Sequence, residues 1–128
     1  MIGTVKSDRR RTSHRPPAVL IVEDDGIVAD ATADAIEALG YRAIRARDGL
    51  QALEALKQEQ PAILLVDLSL PGMSGSEFLR FVRNNPIWSR IPRVIMTGTN
   101  DPMIGIREDA PVFYKPLDLA SLAAAVQR

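Results

Sequence analysis

The sequence predicts an α/β chain wound about a parallel sheet, and three observations carry that prediction. Ile63-Leu64-Leu65-Val66 is a continuous apolar run that ends in Asp67 and is followed by Pro71, Gly72 and Gly75. Such a run, bounded by turn residues, reads as a strand buried on both faces. Ala18-Val19-Leu20-Ile21-Val22 is a second run of this kind, and it too runs into acid, Glu23-Asp24-Asp25. Elsewhere strand-like segments alternate with stretches of helical spacing, the pattern of a sheet covered by helices on both faces.

Length and composition narrow the possibilities. The chain has 128 residues, 46% hydrophobic and 25% charged. That suits one domain with a sizeable core and excludes wholesale disorder. With no cysteine, disulfides, thiol catalysis and zinc–thiolate sites are excluded, and an intracellular protein is the easier reading. No apolar run approaches a membrane span, and the N-terminus lacks the apolar core of a signal peptide. A cytoplasmic protein without membrane contact is expected.

Net charge is zero but unevenly spread. Residues 1–17 hold five basic residues against Asp8, a net +4, and the remaining 111 residues carry −4. This segment lacks aromatics and ends in Pro16-Pro17. It reads as a flexible, solvated basic arm rather than a nucleic-acid contact, so no nucleic-acid partner is expected. His14, alone in that arm, has no partner in sight that would make it a ligand or base.

After the first strand, Gly26 to Leu39 places Val28, Ala31, Ala35 and Leu39 at helical spacing, with Asp25 as N-cap and Gly40 beyond the C-terminus. Tyr41 to Ala46 alternates and reads as a strand nearer an edge. Asp48 caps a second helix, with Leu50, Leu53 and Leu56 expected to face inward until Pro61 stops it. After the central strand, Phe78, Leu79 and Val82 mark a helix over Gly75 to Asn84. Pro92 to Met96 is a fourth strand ending at Thr97-Gly98, and Val112-Phe113-Tyr114 a fifth ending at Lys115-Pro116. Asp118 caps a last helix carrying Leu119, Leu122, Ala123 and Val126. Between the last two strands, Pro102, Gly105 and Pro111 leave room for only a turn or two about Ile104–Glu108. The fourth of the five helices is therefore expected to be short or irregular. Five βα units favour a flavodoxin-like doubly wound five-stranded parallel sheet, order 2-1-3-4-5, over residues 18–128.

In that order every strand ends on one rim. Strand one delivers Glu23 and Asp24, strand three Asp67, strand four Thr97 and strand five Lys115. Strands one and three are neighbours across the switch point, so three carboxylates converge. At an effective dielectric near 20, two unit charges about 4 Å apart repel by roughly 4 kcal/mol, so one is protonated or a cation binds. An all-oxygen cluster of carboxylates suits Mg²⁺, and a lysine with a hydroxyl beside it supplies donors for a phosphoryl group. No glycine-rich phosphate loop is present, so a bound nucleotide is not suggested. Taken singly, an acid after a strand is commonly a helix cap, and Thr97-Gly98 or Lys115-Pro116 an ordinary turn or strand exit. Their conjunction on one rim is far more specific.

These residues resemble the receiver domain of bacterial two-component response regulators. The resemblance covers about residues 18–128. It rests on Val22-Glu23-Asp24-Asp25, on Val66-Asp67-Leu68-Ser69-Leu70-Pro71-Gly72-Met73-Ser74-Gly75, on Thr97-Gly98 and on Lys115-Pro116, in family order. It implies that Asp67 is the phosphoacceptor, taking a phosphoryl group from a phosphohistidine on a sensor histidine kinase or histidine phosphotransfer protein. It implies Mg²⁺ held by Asp24 directly, by Glu23 mainly through water and by the backbone carbonyl of Ser69, with Asp67 also in the metal set. Thr97 resembles the switch hydroxyl and Lys115 the ammonium that pairs with acceptor or phosphoryl group. Such a domain is not an enzyme in the ordinary sense, although it assists its own phosphorylation and hydrolysis.

Two features depart from the family pattern. Val112 stands three residues before Lys115, where typical receivers carry an aromatic; it is expected simply to pack. Lys115 follows Thr97 by 18 positions, shorter than usual by about one helical turn, as in a divergent subgroup with a Thr-Gly turn. Since the chain ends with the last helix, a stand-alone receiver is expected, with output through an unknown downstream protein. Two alternatives are the terminal receiver of a hybrid sensor kinase and a haloacid-dehalogenase-type phosphohydrolase. The latter calls for a second aspartate two residues after the nucleophile, where Ser69 stands.

Overall fold

Five strands pair in parallel in the computed structural model, which describes residues 15–69, 74–98, 107–108 and 110–127. They are β1 (Ala18–Val22), β2 (Arg42–Ala46), β3 (Ile63–Asp67), β4 (Arg93–Thr97) and β5 (Val112–Tyr114), in the spatial order β2-β1-β3-β4-β5. The expected order is the observed one. β1 and β3 are buried along their whole length, as their unbroken apolar runs require of central parallel strands. Val22 lies opposite both Ala46 and Val66, Asp67 opposite Met96, and Thr97 opposite Tyr114. The register therefore lines up the carboxyl ends of the strands.

Four helices among the described residues cover the sheet: α1 (Gly26–Ala38), α2 (Gly49–Gln58), α3 (Gly75–Arg83) and α4 (Leu119–Gln127). Alternate strand residues point to opposite faces. Val19, Ile21, Leu65 and Met96 pack with Ala33 and Ile36 of α1 and Leu122 and Val126 of α4. Leu20, Val22, Leu64 and Val66 pack with Ala52 and Leu56 of α2 and Phe78, Leu79 and Val82 of α3. The Asp25 and Asp48 caps are those the sequence indicates. Asp25 Oδ1 accepts from the N–H groups of Ile27 and Val28, and Asp48 Oδ1 from that of Gln51. Ser74 and Glu77 form a reciprocal capping box, and Gly40 turns the chain at φ +96°.

Two helix faces differ from expectation. α1 buries Ala29, Thr32, Ala33 and Ile36, whereas Val28, Ala31, Ala35 and Leu39 are half-buried beside them. This helix is apolar around most of its circumference, so spacing alone admits more than one inward face. Small side chains allow the chosen face to approach the sheet closely. Thr32 is tolerated there because its hydroxyl donates to the Val28 carbonyl at 2.7 Å. In α2 Leu50 is 62% exposed, and Gly49, Ala52 and Leu56 form the buried face. One step along a helix turns the side chain by about 100°, enough to carry Leu50 off the sheet.

β5 alternates as expected: Val112 packs on the α2/α3 side, Phe113 on the α1/α4 side, and Tyr114 is exposed. The expected short turn about Ile104–Glu108 lies outside the described residues except for Arg107 and Glu108, which are helical. The basic arm lies outside them up to His14. Pro16 and Pro17 are held against β2, their carbonyls accepting from Arg42 Nε and N, each at 2.9 Å. No helix of the described residues is long and apolar enough to cross a membrane.

Candidate functional site

The site is built at the carboxyl ends of β1, β3, β4 and β5. Pairing continues one residue past each of the last strands. The Leu68 N–H donates to the Met96 carbonyl at 3.1 Å and the Lys115 N–H to the Thr97 carbonyl at 2.8 Å. The first anchors the backbone just after Asp67, and the second fixes the Lys115 backbone to the end of β4, from where its side chain reaches Asp67. The Lys115–Pro116 peptide is cis.

Asp67 is buried and both of its carboxylate oxygens are engaged. Oδ1 accepts from the Ser69 N–H at 2.9 Å, and Oδ2 accepts from Lys115 Nζ at 2.9 Å. Glu23 is buried as well. Its Oε2 accepts from the Asp25 N–H at 3.1 Å. Its Oε1 lies 2.8 Å from Lys115 Nζ as an ion pair, yet has no hydrogen-bond partner; at that distance only an oblique approach leaves it without a directed bond. Asp24 is exposed beside them. Glu23, Asp24 and Asp67 each present one oxygen within 4.8 Å of the others.

One ammonium thus faces two buried carboxylates, with a third at the mouth. Burial pushes the Glu23 carboxyl above its usual value, and repulsion from Asp67 adds to this, while Lys115 and the Asp25 N–H pull it back. Burial works against the charged form of Lys115, but Glu23 and Asp67 outweigh it and hold the ammonium above its usual range. The negative excess and the orphaned Glu23 oxygen fit a hard divalent cation, which takes carboxylate oxygens and keeps several waters. A buried acceptor with no directed donor is costly unless such a partner arrives.

The geometry joins most of the residues that the sequence singles out. Glu23, Asp24, Asp67 and Lys115 meet through their side chains, and Ser69 through its backbone N–H, its side chain being exposed. Thr97 is fully buried at the end of β4, next in the same row. Two contributors escape a reading of the sequence. The Asp25 N–H orients Glu23 although Asp25 reads only as a cap. Gly75 passes so close to β3 that a Cβ there would lie 2.3 Å from the Asp67 carbonyl oxygen and 2.6 Å from Leu68 Cα. Its position among turn glycines is the only signal the sequence offers.

That approach makes a prediction. Gly75→Ala forces backbone apart directly behind the carboxylate. It is expected to lower the unfolding free energy by about 1–3 kcal/mol, the usual cost of overpacking, as read from urea denaturation midpoints. An unchanged midpoint would mean that the β3–α3 loop yields freely.

A sheet of this order with an acidic switch-point site and a lysine beside it defines a class of signalling domain. The model for the response regulator receiver domain matches residues 19–127, and the chain belongs to that family. It is 37% identical over 83 residues to the polar-differentiation response regulator DivK of Brucella anthropi, covering 65% of this chain and 68% of that one. It is 33% identical over 113 residues to the transcriptional regulatory protein CseB of Streptomyces coelicolor, covering 85% of this chain. The chain spans about half of CseB, 47% of its length. Among solved structures it resembles the chemotaxis protein CheY4 of Vibrio cholerae at 25% identity and TM-score 0.80, covering 88% of this chain and 98% of that one. Receiver domains are signalling modules that work with histidine kinases or phosphotransfer proteins. Neither alternative reading gains support: Ser69 offers Asp67 an N–H where the phosphohydrolase needs a second carboxylate.

Proposed function

We propose that Asp67 is the phosphoacceptor of a two-component phosphorelay. The observation that carries this reading is the Lys115 ammonium set between Asp67 Oδ2 and Glu23 Oε1 at the rim of the sheet. A carboxylate oxygen of Asp67 attacks phosphorus, the P–N bond of a donor phosphohistidine breaks, and imidazole leaves as the aspartyl phosphate forms. Phosphoryl transfer needs charge neutralisation and alignment more than covalent help. Lys115 is already placed to offset charge on the phosphoryl oxygens, and the Ser69 N–H fixes the rotation of the attacking carboxylate. Glu23, Asp24, Asp67 and the Ser69 carbonyl would hold Mg²⁺, which would supply further positive charge for the transfer.

Thr97 is the switch hydroxyl in this reading. Its buried place at the end of β4, joined through its carbonyl to Lys115, supports that role. Val112 packs into the core rather than offering an aromatic ring, so the response is carried by the loop after Thr97 and the segment through residue 111. The donor is a sensor histidine kinase or histidine phosphotransfer protein, and the output is binding to a downstream protein.

Intact mass after incubation with a small phosphodonor tests the assignment. The wild type gains one phosphoryl group with Mg²⁺ and none without it, and Asp67→Asn gains none. An adduct of equal size in the variant would move the acceptor elsewhere. No adduct in the wild type would make this a binding-only receiver.

A further inference from the structure

A second charged surface lies at the opposite edge of the sheet, where β4 begins. Arg83 at the end of α3, Arg90 in the 3-10 turn (Trp88–Arg90), Arg93 at the start of β4 and Arg107 line one cleft of about 380 Å³. Among the described residues the only carboxylate lining it is Glu108. Its nearly buried side chain is bound to Arg83 Nη1 at 2.6 Å. Arg93 is held in place by donating to the carbonyls of Ser89 and Ile91 at 3.0 and 3.3 Å. Arg90 is shared with an adjoining cleft of about 420 Å³ lined also by Pro86 and by Ile87, which is 61% exposed.

We propose that these joined clefts dock an acidic peptide segment of a partner protein, one that carries an apolar side chain beside its carboxylates. Exposed Arg90, which lines both clefts, carries the complementary charge, and planar guanidinium groups recognise carboxylates through paired hydrogen bonds. Pro86 and the exposed Ile87 provide the apolar seat next to that charge. Among the described residues, nothing lining either cleft offers a glycine-rich loop or a helix N-terminus of the kind that cradles a small phosphate. A partner carboxylate competes with Glu108 for Arg83. Docking is therefore coupled to Glu108, which belongs to the connection between β4 and β5. Each biases the other, since linkage is reciprocal. The site shares no residue with the acidic rim, so its failure and that of the phosphoacceptor assignment are separate results.

The test is fluorescence anisotropy of the full chain with a labelled peptide of alternating glutamate and leucine. Arg90→Glu lies far from the rim and is checked for an unchanged melting temperature. Binding by the wild type is expected, with affinity falling about tenfold or more in Arg90→Glu and in Arg83→Gln. The amide signals of Arg107 and Glu108 should move on titration in an NMR spectrum. The proposal is overturned if no binding is seen, if Arg90→Glu binds as the wild type does, or if inorganic triphosphate binds more tightly than the peptide. The last result would mark a small phosphate site instead.

Discussion

Lys115→Met is expected to lower the unfolding free energy of the metal-free protein by about 3 kcal/mol at neutral pH. Breaking a buried ion pair by removing one partner costs about 3–5 kcal/mol, because the remaining charge is left uncompensated. Here two carboxylates are stranded together, Asp67 and Glu23, both with side chains almost wholly out of solvent. The value falls at the lower end because the ammonium keeps some solvent contact, its side chain being 24% exposed. Methionine preserves the length of the stem, so the loss reports charge rather than a cavity. Lowering the pH into the carboxylate range should recover part of it as one acid takes a proton. Urea denaturation of both proteins provides the measurement. A loss below about 1 kcal/mol, the range of an exposed pair, would mean that the carboxylates are not held together as described.

The second large effect comes from Mg²⁺ and pH acting on the same cluster. A ligand that binds only the folded state stabilises it by about 2.7 kcal/mol at a hundredfold excess over its dissociation constant. Mg²⁺ is expected to raise the melting temperature accordingly, and Asp24→Asn and Glu23→Gln should reduce the rise. The metal-free protein has its own pH signature. Glu23 is pushed up from an ordinary 4.5, so the folded chain still holds that proton where the unfolded chain has released it. Its contribution is complete below about 4.5 and is lost as pH rises through the elevated value. Glu23→Gln should therefore gain stability relative to the wild type over that interval, and Mg²⁺ should narrow the difference. A gap that is flat across the interval, or that moves the other way, would refute the elevated carboxyl.

Much of this site is legible without coordinates. Glu23, Asp24, Asp67, Thr97 and Lys115 each follow an apolar run, and a parallel sheet has one carboxyl edge, so the runs alone bring them to one rim. The Asp25 and Asp48 caps are local, and local chemistry survives into the fold. Leu50 and the inner face of α1 are another matter. Helical spacing states which residues share a face but not which face turns toward a sheet not yet built. In α1, where the charged residues are confined to Asp30, Asp34 and Glu37, small size at Ala29 and Ala33 decides, because it sets how near the helix can come.

The sequence by itself determined the strands, the Asp25 and Asp48 caps and the set of acids at the rim, since these follow from periodicity, local chemistry and chain direction, and the rules for parallel crossovers favoured the strand order. Only the tertiary structure decided that one ammonium lies between Asp67 and Glu23, leaving a buried Glu23 oxygen without a directed donor. Only it showed Gly75 against the Asp67 carbonyl and Arg83 bound to Glu108. The Lys115 and Arg83 contacts join residues far apart in the chain, and Gly75 meets Asp67 only through the path of the loop between β3 and α3, so no local pattern encodes these distances.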